Sequence, residues 1–216
     1  MIFNKTKVEG FEPAVRGMRN ALASWAKSDS HYNEFGKFVI GETDLDLAQR
    51  LIKAGSPDRK FMRQIEVWVD ITAPMYWWSQ YDTYKVATVA NSTSKMHKLA
   101  STSIEKDCFE LDDYEGTLEI GDSCVGVETE AILHFLEQLR QKYNETKDKR
   151  YWKELIRWLP EGWLQTRTVS LNYETLRSIY FQRRNHKLTE WHSFCDWIKT
   201  LPYAQELICY TGEEES

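Results

Sequence analysis

The strongest constraint on the fold is an alternating stretch between Arg63 and Thr72. Alternate positions in this stretch are apolar: Ile65, Val67, Val69 and Ile71. Because successive side chains of a β-strand point to opposite faces, the stretch predicts a half-buried strand. Ala73-Pro74 breaks this strand, and Met75 to Tyr84 can form a helix with Pro74 near its first turn.

Apolar residues recur at helical spacing elsewhere in the chain. They predict helices over Asp44 to Ala54, Gly126 to Asn144, Lys149 to Trp158, Tyr173 to Arg183 and Thr189 to Leu201. Thr43 and Thr189 are the expected caps of the first and last of these, and Gly55 the stop of the first. The long second helix is expected to pack through one seam, formed by Ile132, Phe135, Leu136, Leu139 and Tyr143.

One clear strand among many helices indicates a mixed α+β fold. A chain of 216 residues is long enough for one good core, so we predict a single domain over residues 1–216. The acidic, turn-rich segment 106–123 shows no periodicity and is expected to be an exposed excursion.

Charge and hydropathy exclude several classes of partner. Lys and Arg total 28 against 33 for Asp and Glu, a net charge of −5, which argues against binding a nucleic-acid polymer. No apolar run is long enough to span a bilayer, so we expect a soluble, cytoplasmic protein without membrane contact.

The sequence contains no recognisable local catalytic motif. Cys108, Cys124, Cys195 and Cys209 form no C-x-x-C pair, which argues against a disulfide scaffold and a zinc site. Small core residues are the favoured interpretation of all four. A catalytic cysteine is the less favoured alternative. There is also no Gly-rich phosphate loop and no G-x-S-x-G elbow, so local motifs leave the function open, and we assign no metal site and no catalytic residue.

Polar and cationic residues cluster in two places. The first cluster follows the predicted strand and comprises Gln80, Asp82, Thr83, Tyr84, Lys85, Thr88, Asn91, Ser92, Thr93, Ser94, Lys95 and His97. Its hydroxyls, amides and lysines can hold a phosphate and the edge of a heterocycle. From composition alone, an ordinary Ser/Thr-rich capping loop is the better interpretation.

The second cluster covers a predicted helix and its end: Asn172, Glu174, Arg177, Ser178, Gln182, Arg183, Arg184, Asn185 and His186. Helical spacing brings several of these near one face, where they can line a groove. The alternative is a solvated basic helix end, because cations at a helix C-terminus are favoured by the dipole.

Taken in order, these blocks resemble the flavin-dependent thymidylate synthase family, whose members methylate deoxyuridine monophosphate with FAD, NADPH and methylenetetrahydrofolate. The family has a strand, an Ala-Pro step, a helix with a Gln, and the signature Arg-His-Arg-x-x-Ser-x-Asn-Glu-x-Ser-x-Arg. Here Gln80 follows Ala73-Pro74 at the family's spacing, and the signature falls without gaps on Thr83 to Lys95.

Four signature positions keep their chemical type: Lys85, Thr88, Thr93 and Lys95. The others depart from it, because Thr83-Tyr84 replaces Arg-His, Ala90 replaces Asn and Asn91 replaces Glu. Downstream, Leu159-Pro160, Asn172 and Arg183 match the family in type and spacing, whereas Glu174 and Ser178 replace an Arg and an Asn. The family's Gly-His loop would fall near Gly55 to Arg59, where the histidine is absent.

The resemblance implies a central antiparallel sheet flanked by helices, and a homo-oligomer, expected to be a tetramer. It implies FAD binding by Thr83, Tyr84, Lys85, Asn91, Asn172, Ser178 and Arg183. It implies pyrimidine-nucleotide binding by Gln80, Thr93, Lys95 and Arg183, with Thr88 donating to phosphate and Arg184 as a spare cation.

Three functions follow as hypotheses from this resemblance. The first is a divergent FAD-dependent enzyme that transfers a one-carbon unit to a deoxyuridine nucleotide, with NADPH and methylenetetrahydrofolate as co-substrates. The second is a non-catalytic nucleotide-binding or protein-interaction module on the same fold. The third is a flavin reductase or oxidase that acts on another small molecule.

Overall fold

The computed structural model describes residues 1–212 of the chain. Its strands are β1 (Ile2–Glu9), β2 (His31–Tyr32), β3 (Phe38–Val39), β4 (Glu66–Pro74), β5 (Thr88–Ser92), β6 (Glu119–Ile120), β7 (Ser123–Cys124) and β8 (Leu164–Asn172). Its α-helices are α1 (Phe11–Met18), α2 (Glu42–Ala54), α3 (Met75–Tyr81), α4 (Lys95–Ser101), α5 (Val125–Thr146), α6 (Lys149–Trp158), α7 (Tyr173–Arg183) and α8 (Thr189–Lys199). Within this described part no helix is both long and apolar enough to cross a bilayer.

A four-stranded sheet in the order β1-β4-β8-β5 is the main β element. The register of β4 and β8 is antiparallel: Thr72 meets Thr166 with hydroxyls 2.7 Å apart, while Asp70 accepts from the hydroxyl of Thr168 at 2.6 Å. The strands β2 with β3, and β6 with β7, form two short antiparallel hairpins. The α+β class with an antiparallel sheet is therefore confirmed.

Contacts divide the chain into two compact units. The first contains Met1–Ile2, Thr72–Thr83 and Asn91–Arg167; the second contains Phe3–Ile71, Tyr84–Ala90 and the chain from Thr168 onward. Each strand of the main sheet contributes residues to both units. A single domain over 1–216 stays a prediction.

The core of the first unit is built on the helix pair α5 and α6. Its fully or almost fully buried members are Leu99, Ile104, Leu133, Leu136, Leu155 and Trp163. The predicted seam of α5 is only partly right, because Ile132 and Phe135 are 48% and 43% exposed. The buried residues of α5 are instead Leu133 and Leu136, which pack towards α6 and α4.

The core of the second unit includes the alternating face predicted from sequence. Ile65, Val67, Val69 and Ile71 are each at most 1% exposed. Helices α7 and α8 pack together with the π-helical turn Ala204–Ile208.

Several predicted boundaries are shifted, for local physical reasons. Helix α2 begins at Glu42 rather than after Thr43, because the carboxylate of Asp29 accepts from the N–H groups of Thr43 and Asp44 at 2.8 and 3.1 Å. A 3₁₀ stretch over Arg59–Gln64 delays the start of β4 to Glu66. The strand then runs through Pro74, so Ala73-Pro74 does not break it early.

Other element ends differ as well, and α5 runs from Val125 to Thr146 instead of from Gly126 to Asn144. Leu188, not Thr189, is the N-cap residue of α8, and the helix ends at Lys199. Helix α3 ends at Tyr81 rather than Tyr84. The acidic segment is largely exposed, as expected, but it contains a 3₁₀ turn over Lys106–Cys108 and the β6–β7 hairpin.

Candidate functional site

In the second unit, Arg183 at the end of α7 is held by two aromatic rings. Its Nε donates to the hydroxyl of Tyr84 at 2.7 Å, and its guanidinium carbon lies 4.7 Å from the centroid of the Trp191 ring. Tyr84 in turn donates to Oε1 of Gln182 at 3.1 Å and meets Trp191 edge to face at 6.0 Å. We call Tyr84, Gln182, Arg183 and Trp191 the Arg183 cluster.

The Arg183 cluster carries a positive charge. Among residues 1–212, no carboxylate forms an ion pair with Arg183, Arg184 or Lys85. Lys85 and Arg184 are exposed, and the guanidinium of Arg184 lies over Phe181. Burial and the charge of Arg183 lower the pKa of His186. An anion can therefore bind here without displacing an ion pair formed by residues 1–212.

Other predicted residues of this unit are engaged in local structure. The buried side chain of Asn172 caps α7, because its Oδ1 accepts from the N–H of Thr175 at 3.0 Å. The hydroxyl of Thr88 donates to the carbonyl of Tyr84. Ser178 is half-buried on α7. Thr88 therefore fixes the backbone of Tyr84 in the Arg183 cluster, and Asn172 fixes the opposite end of α7.

Glu174 has its charge satisfied within the chain. It accepts from the hydroxyl of Ser56 at 2.8 Å, from Arg59 at 3.3 Å and from Arg63. Burial raises the pKa of Glu174, but hydrogen bonds from Arg63 and Ser56 outweigh it and hold the pKa below its usual range. These contacts tie α7 to the segment where the family's Gly-His loop was expected.

In the first unit, Gln80 and Thr83 meet at the end of α3. Both the N–H and the hydroxyl of Thr83 donate to the carbonyl of Gln80, at 3.2 and 2.7 Å. The Thr83 side chain thus closes the helix end, and the half-buried Gln80 side chain lies on the same turn.

Asn91, Thr93 and Lys95 lie on one short segment of the first unit. Asn91 and Thr93 are exposed, and Lys95 is the first residue of α4, which Ser94 caps. The backbone of Thr93 is fixed at both polar groups: its N–H donates to Thr166 O at 2.9 Å and its carbonyl accepts from Gln165 Nε2 at 2.8 Å. The side chains of Asn91 and Thr93 form no hydrogen bond within residues 1–212.

Sequence reasoning missed two residues that fix this segment, Gln165 and Arg167. Arg167 donates to Gln165 Oε1 at 2.9 Å and to Asp82 at 2.7 Å, and its guanidinium stacks 4.2 Å from the Trp78 ring centroid. Trp78 Nε1 donates to the carbonyl of Gln165 at 3.0 Å. The available signal was their i, i+2 spacing, which places both on one face of a strand.

Metal ligands and thiols were the remaining candidates for chemistry among residues 1–212. The described residues contain no group of three or more His, Cys, Asp or Glu side chains able to hold a metal ion. Burial raises the pKa values of Cys108, Cys195 and Cys209, that of Cys195 to about 11. These thiols are therefore protonated, and unreactive as nucleophiles, near neutral pH.

Comparison with known proteins identifies the fold. No protein-family model and no curated sequence matches the chain. Two crystal structures of the Helicobacter pylori flavin-dependent thymidylate synthase, each complexed with FAD and dUMP, do match. One aligns with a TM-score of 0.68 and 15% identity over 96% of this chain and 98% of its own. The other has a TM-score of 0.66 and 16% identity over 94% of each chain. The chain therefore has the fold of the flavin-dependent thymidylate synthases.

Proposed function

We propose that the protein is a divergent flavin-dependent thymidylate synthase-like enzyme, which binds FAD and transfers a one-carbon unit to a deoxyuridine nucleotide. The observation that carries the proposal is Arg183, a cation fixed by Tyr84 and Trp191 without a carboxylate partner among residues 1–212. It belongs to a chain whose structural neighbours hold FAD and dUMP.

The residues present fit the charge of the proposed ligands. A dinucleotide and a nucleotide monophosphate both need cations for their phosphates, and Lys85, Lys95 and Arg183 supply them. Bound FAD would supply the hydride chemistry, with NADPH and methylenetetrahydrofolate as co-substrates. The proposed reaction needs no protein nucleophile, and burial keeps the thiol of Cys195 protonated by raising its pKa to about 11.

Each predicted side chain has a proposed role of binding or orientation. Thr83, Tyr84, Asn91, Asn172 and Ser178 are proposed to shape or contact the flavin site, and Gln80 and Thr93 the nucleotide site. Positions 85 and 95 carry lysine where the family pattern has arginine. An ammonium group still attracts a phosphate, but it lacks the planar guanidinium that fixes the phosphate's orientation through two hydrogen bonds. A homotetramer and a place in cytoplasmic nucleotide biosynthesis remain part of the proposal.

A non-catalytic nucleotide-binding module on the same fold is the second candidate. Two observations favour it: the hydroxyl of Thr83 is used on the carbonyl of Gln80, and Glu174 is neutralised by Arg59 and Arg63. Both residues stand where the family pattern has an arginine, so two cationic contacts are lost.

The two candidates differ in nucleotide-dependent flavin chemistry. We expect FAD-loaded protein, reduced with NADPH, to be reoxidised faster when dUMP and methylenetetrahydrofolate are added, with a methylated nucleotide as product. Saturable dUMP binding without any turnover would select the non-catalytic module. NADPH oxidation that does not depend on nucleotide would favour a flavin reductase or oxidase instead, and failure to bind both FAD and dUMP would contradict the proposal.

A further inference from the structure

One pocket of the second unit is lined by aromatic rings. It is a cavity of about 390 Å³ between the end of β1, the start of α1, the β2–β3 hairpin and Pro202-Tyr203. Four rings contribute to its walls: Phe11, Tyr32, Phe38 and Tyr203. None of these residues belongs to the Arg183 cluster or to the sequence-predicted site.

The four rings contact one another in two pairs. Tyr32 and Phe38 meet at 5.3 Å with an interplanar angle of 69°, and Phe11 and Tyr203 meet at 5.5 Å and 68°. The hydroxyl of Tyr203 accepts from the N–H of Ile40 at 3.0 Å. The backbone of Tyr203 has φ of 55°, in the left-handed region. A preformed ring arrangement lowers the entropy cost of binding.

Two carboxylates border the same rings. Glu9 and Glu12 both line the pocket, and Glu12 accepts from the hydroxyl of Tyr32 at 2.6 Å. This hydrogen bond, and the negative charges of Glu12 and Glu9, raise the pKa of Tyr32. Glu9 is paired with Lys7 at 3.3 Å, and the exposed Lys37 also borders the pocket. Glu12 forms no ion pair with a basic residue among residues 1–212, so it is the carboxylate that can attract a cation to the rings.

We propose that this pocket binds a small organic cation whose ammonium group carries apolar substituents, such as a quaternary ammonium. The faces of aromatic rings attract cations, and carboxylates strengthen that attraction while they repel anions. Ring carbons do not ligate metal ions, and apolar substituents fill the remaining wall area. The volume is within the range of small-molecule sites.

The first test is a titration of the full chain with choline and, separately, with its neutral isostere 3,3-dimethylbutan-1-ol. NMR or calorimetry measures the binding in each titration. The two probes have nearly the same shape, so their difference reports the charge. We expect saturable choline binding. The affinity for the alcohol should be at least about tenfold weaker than the affinity for choline. Equal affinity for both probes, or no saturable choline binding, would overturn the proposal.

Variants locate the binding. Phe38→Leu removes one ring of the pocket and should weaken choline binding about fivefold or more. Phe35→Leu is the matched control, because Phe35 is 84% exposed on the same hairpin and outside the lining, and it should bind like the parent chain. If Phe38→Leu fails to fold, Glu12→Gln takes its place, with the same expected loss. Undiminished choline binding by a folded Phe38→Leu or Glu12→Gln protein would contradict the site.

Discussion

At the scale of single residues, Arg183 is a cation fixed by two aromatic side chains. Its Nε is bonded to Tyr84, which stands where the resemblance expects a histidine, and its face is covered by Trp191. A guanidinium whose Nε and face are fixed still presents its two terminal nitrogens, which are the pair that binds a phosphate in a forked geometry. The contact with Tyr84 therefore supports the guanidinium and leaves its positive charge in place.

The role of Arg183 can be tested by substitution. Arg183→Gln removes the charge, and we expect nucleotide and FAD affinities to fall roughly tenfold to a hundredfold, because a hydrogen bond to a charged group contributes about 1.5–3 kcal/mol. Arg50→Gln is the matched control, since Arg50 pairs with Asp46 on the exposed side of α2. Equilibrium titration of both variants checks this, and equal affinities would remove Arg183 from the site.

At the scale of elements, helices were predicted better than strands. Helices α6 and α7 have the predicted bounds, since their signals are local: a helical apolar pattern, with the Pro160 stop after α6 and the Asn172 cap before α7. Strand β8 was missed because it lacks a simple alternation of apolar residues. Its buried residue Gln165 has both polar groups of its side chain hydrogen-bonded. The amide nitrogen donates to the carbonyl of Thr93, which is distant in sequence, and the amide oxygen accepts from Arg167 on the same face of the strand.

In the candidate site, too, local features could be predicted from the sequence and tertiary contacts could not. Residue types at Gln80, Thr83 and Asn172 could be read from the sequence, but their hydrogen-bond partners could not. Thr83 closes a helix end and Asn172 caps one, which are local uses that composition already favoured for such residues. The Arg167 network depends on which strand faces which helix, and that is decided by tertiary structure.

The corrected buried face of α5 gives a stability prediction. Leu136 is fully buried, whereas Ile132, one turn earlier, is 48% exposed. Leu136→Ala should lower the free energy of unfolding by about 2–5 kcal/mol, because it opens a cavity. Ile132→Ala is the control and should cost less than about 1 kcal/mol. Urea denaturation measures both, and similar losses would restore the seam predicted from sequence.

At the scale of the whole molecule, acid stability depends on how carboxylates are held. Glu137 accepts from Arg140, the N–H of Ile104 and Gln141, and these bonds, that from Arg140 above all, lower its pKa to about 2. Because the folded pKa lies below the ordinary value of 4.5, this contribution is complete above that pH. It is lost as the pH falls towards 2.

The contribution corresponds to about 3 kcal/mol of stability at neutral pH. Glu137→Gln should therefore lower the free energy of unfolding near pH 6 and flatten its fall between pH 4.5 and 2. Glu145→Gln, which breaks an exposed pair with Lys142, should cost less than about 1 kcal/mol. Denaturant melts across this pH range check the prediction, and parallel pH profiles for the parent and Glu137→Gln proteins would refute it.

The central claim is that this chain kept the cofactor site of its fold. The most direct test is the visible absorption spectrum of the purified protein, incubated with excess FAD and passed through gel filtration. We predict a retained flavin spectrum, diminished in Arg183→Gln. A folded protein that stays colourless at every FAD concentration would contradict the claim, because flavin chemistry cannot occur on a chain that does not hold the cofactor.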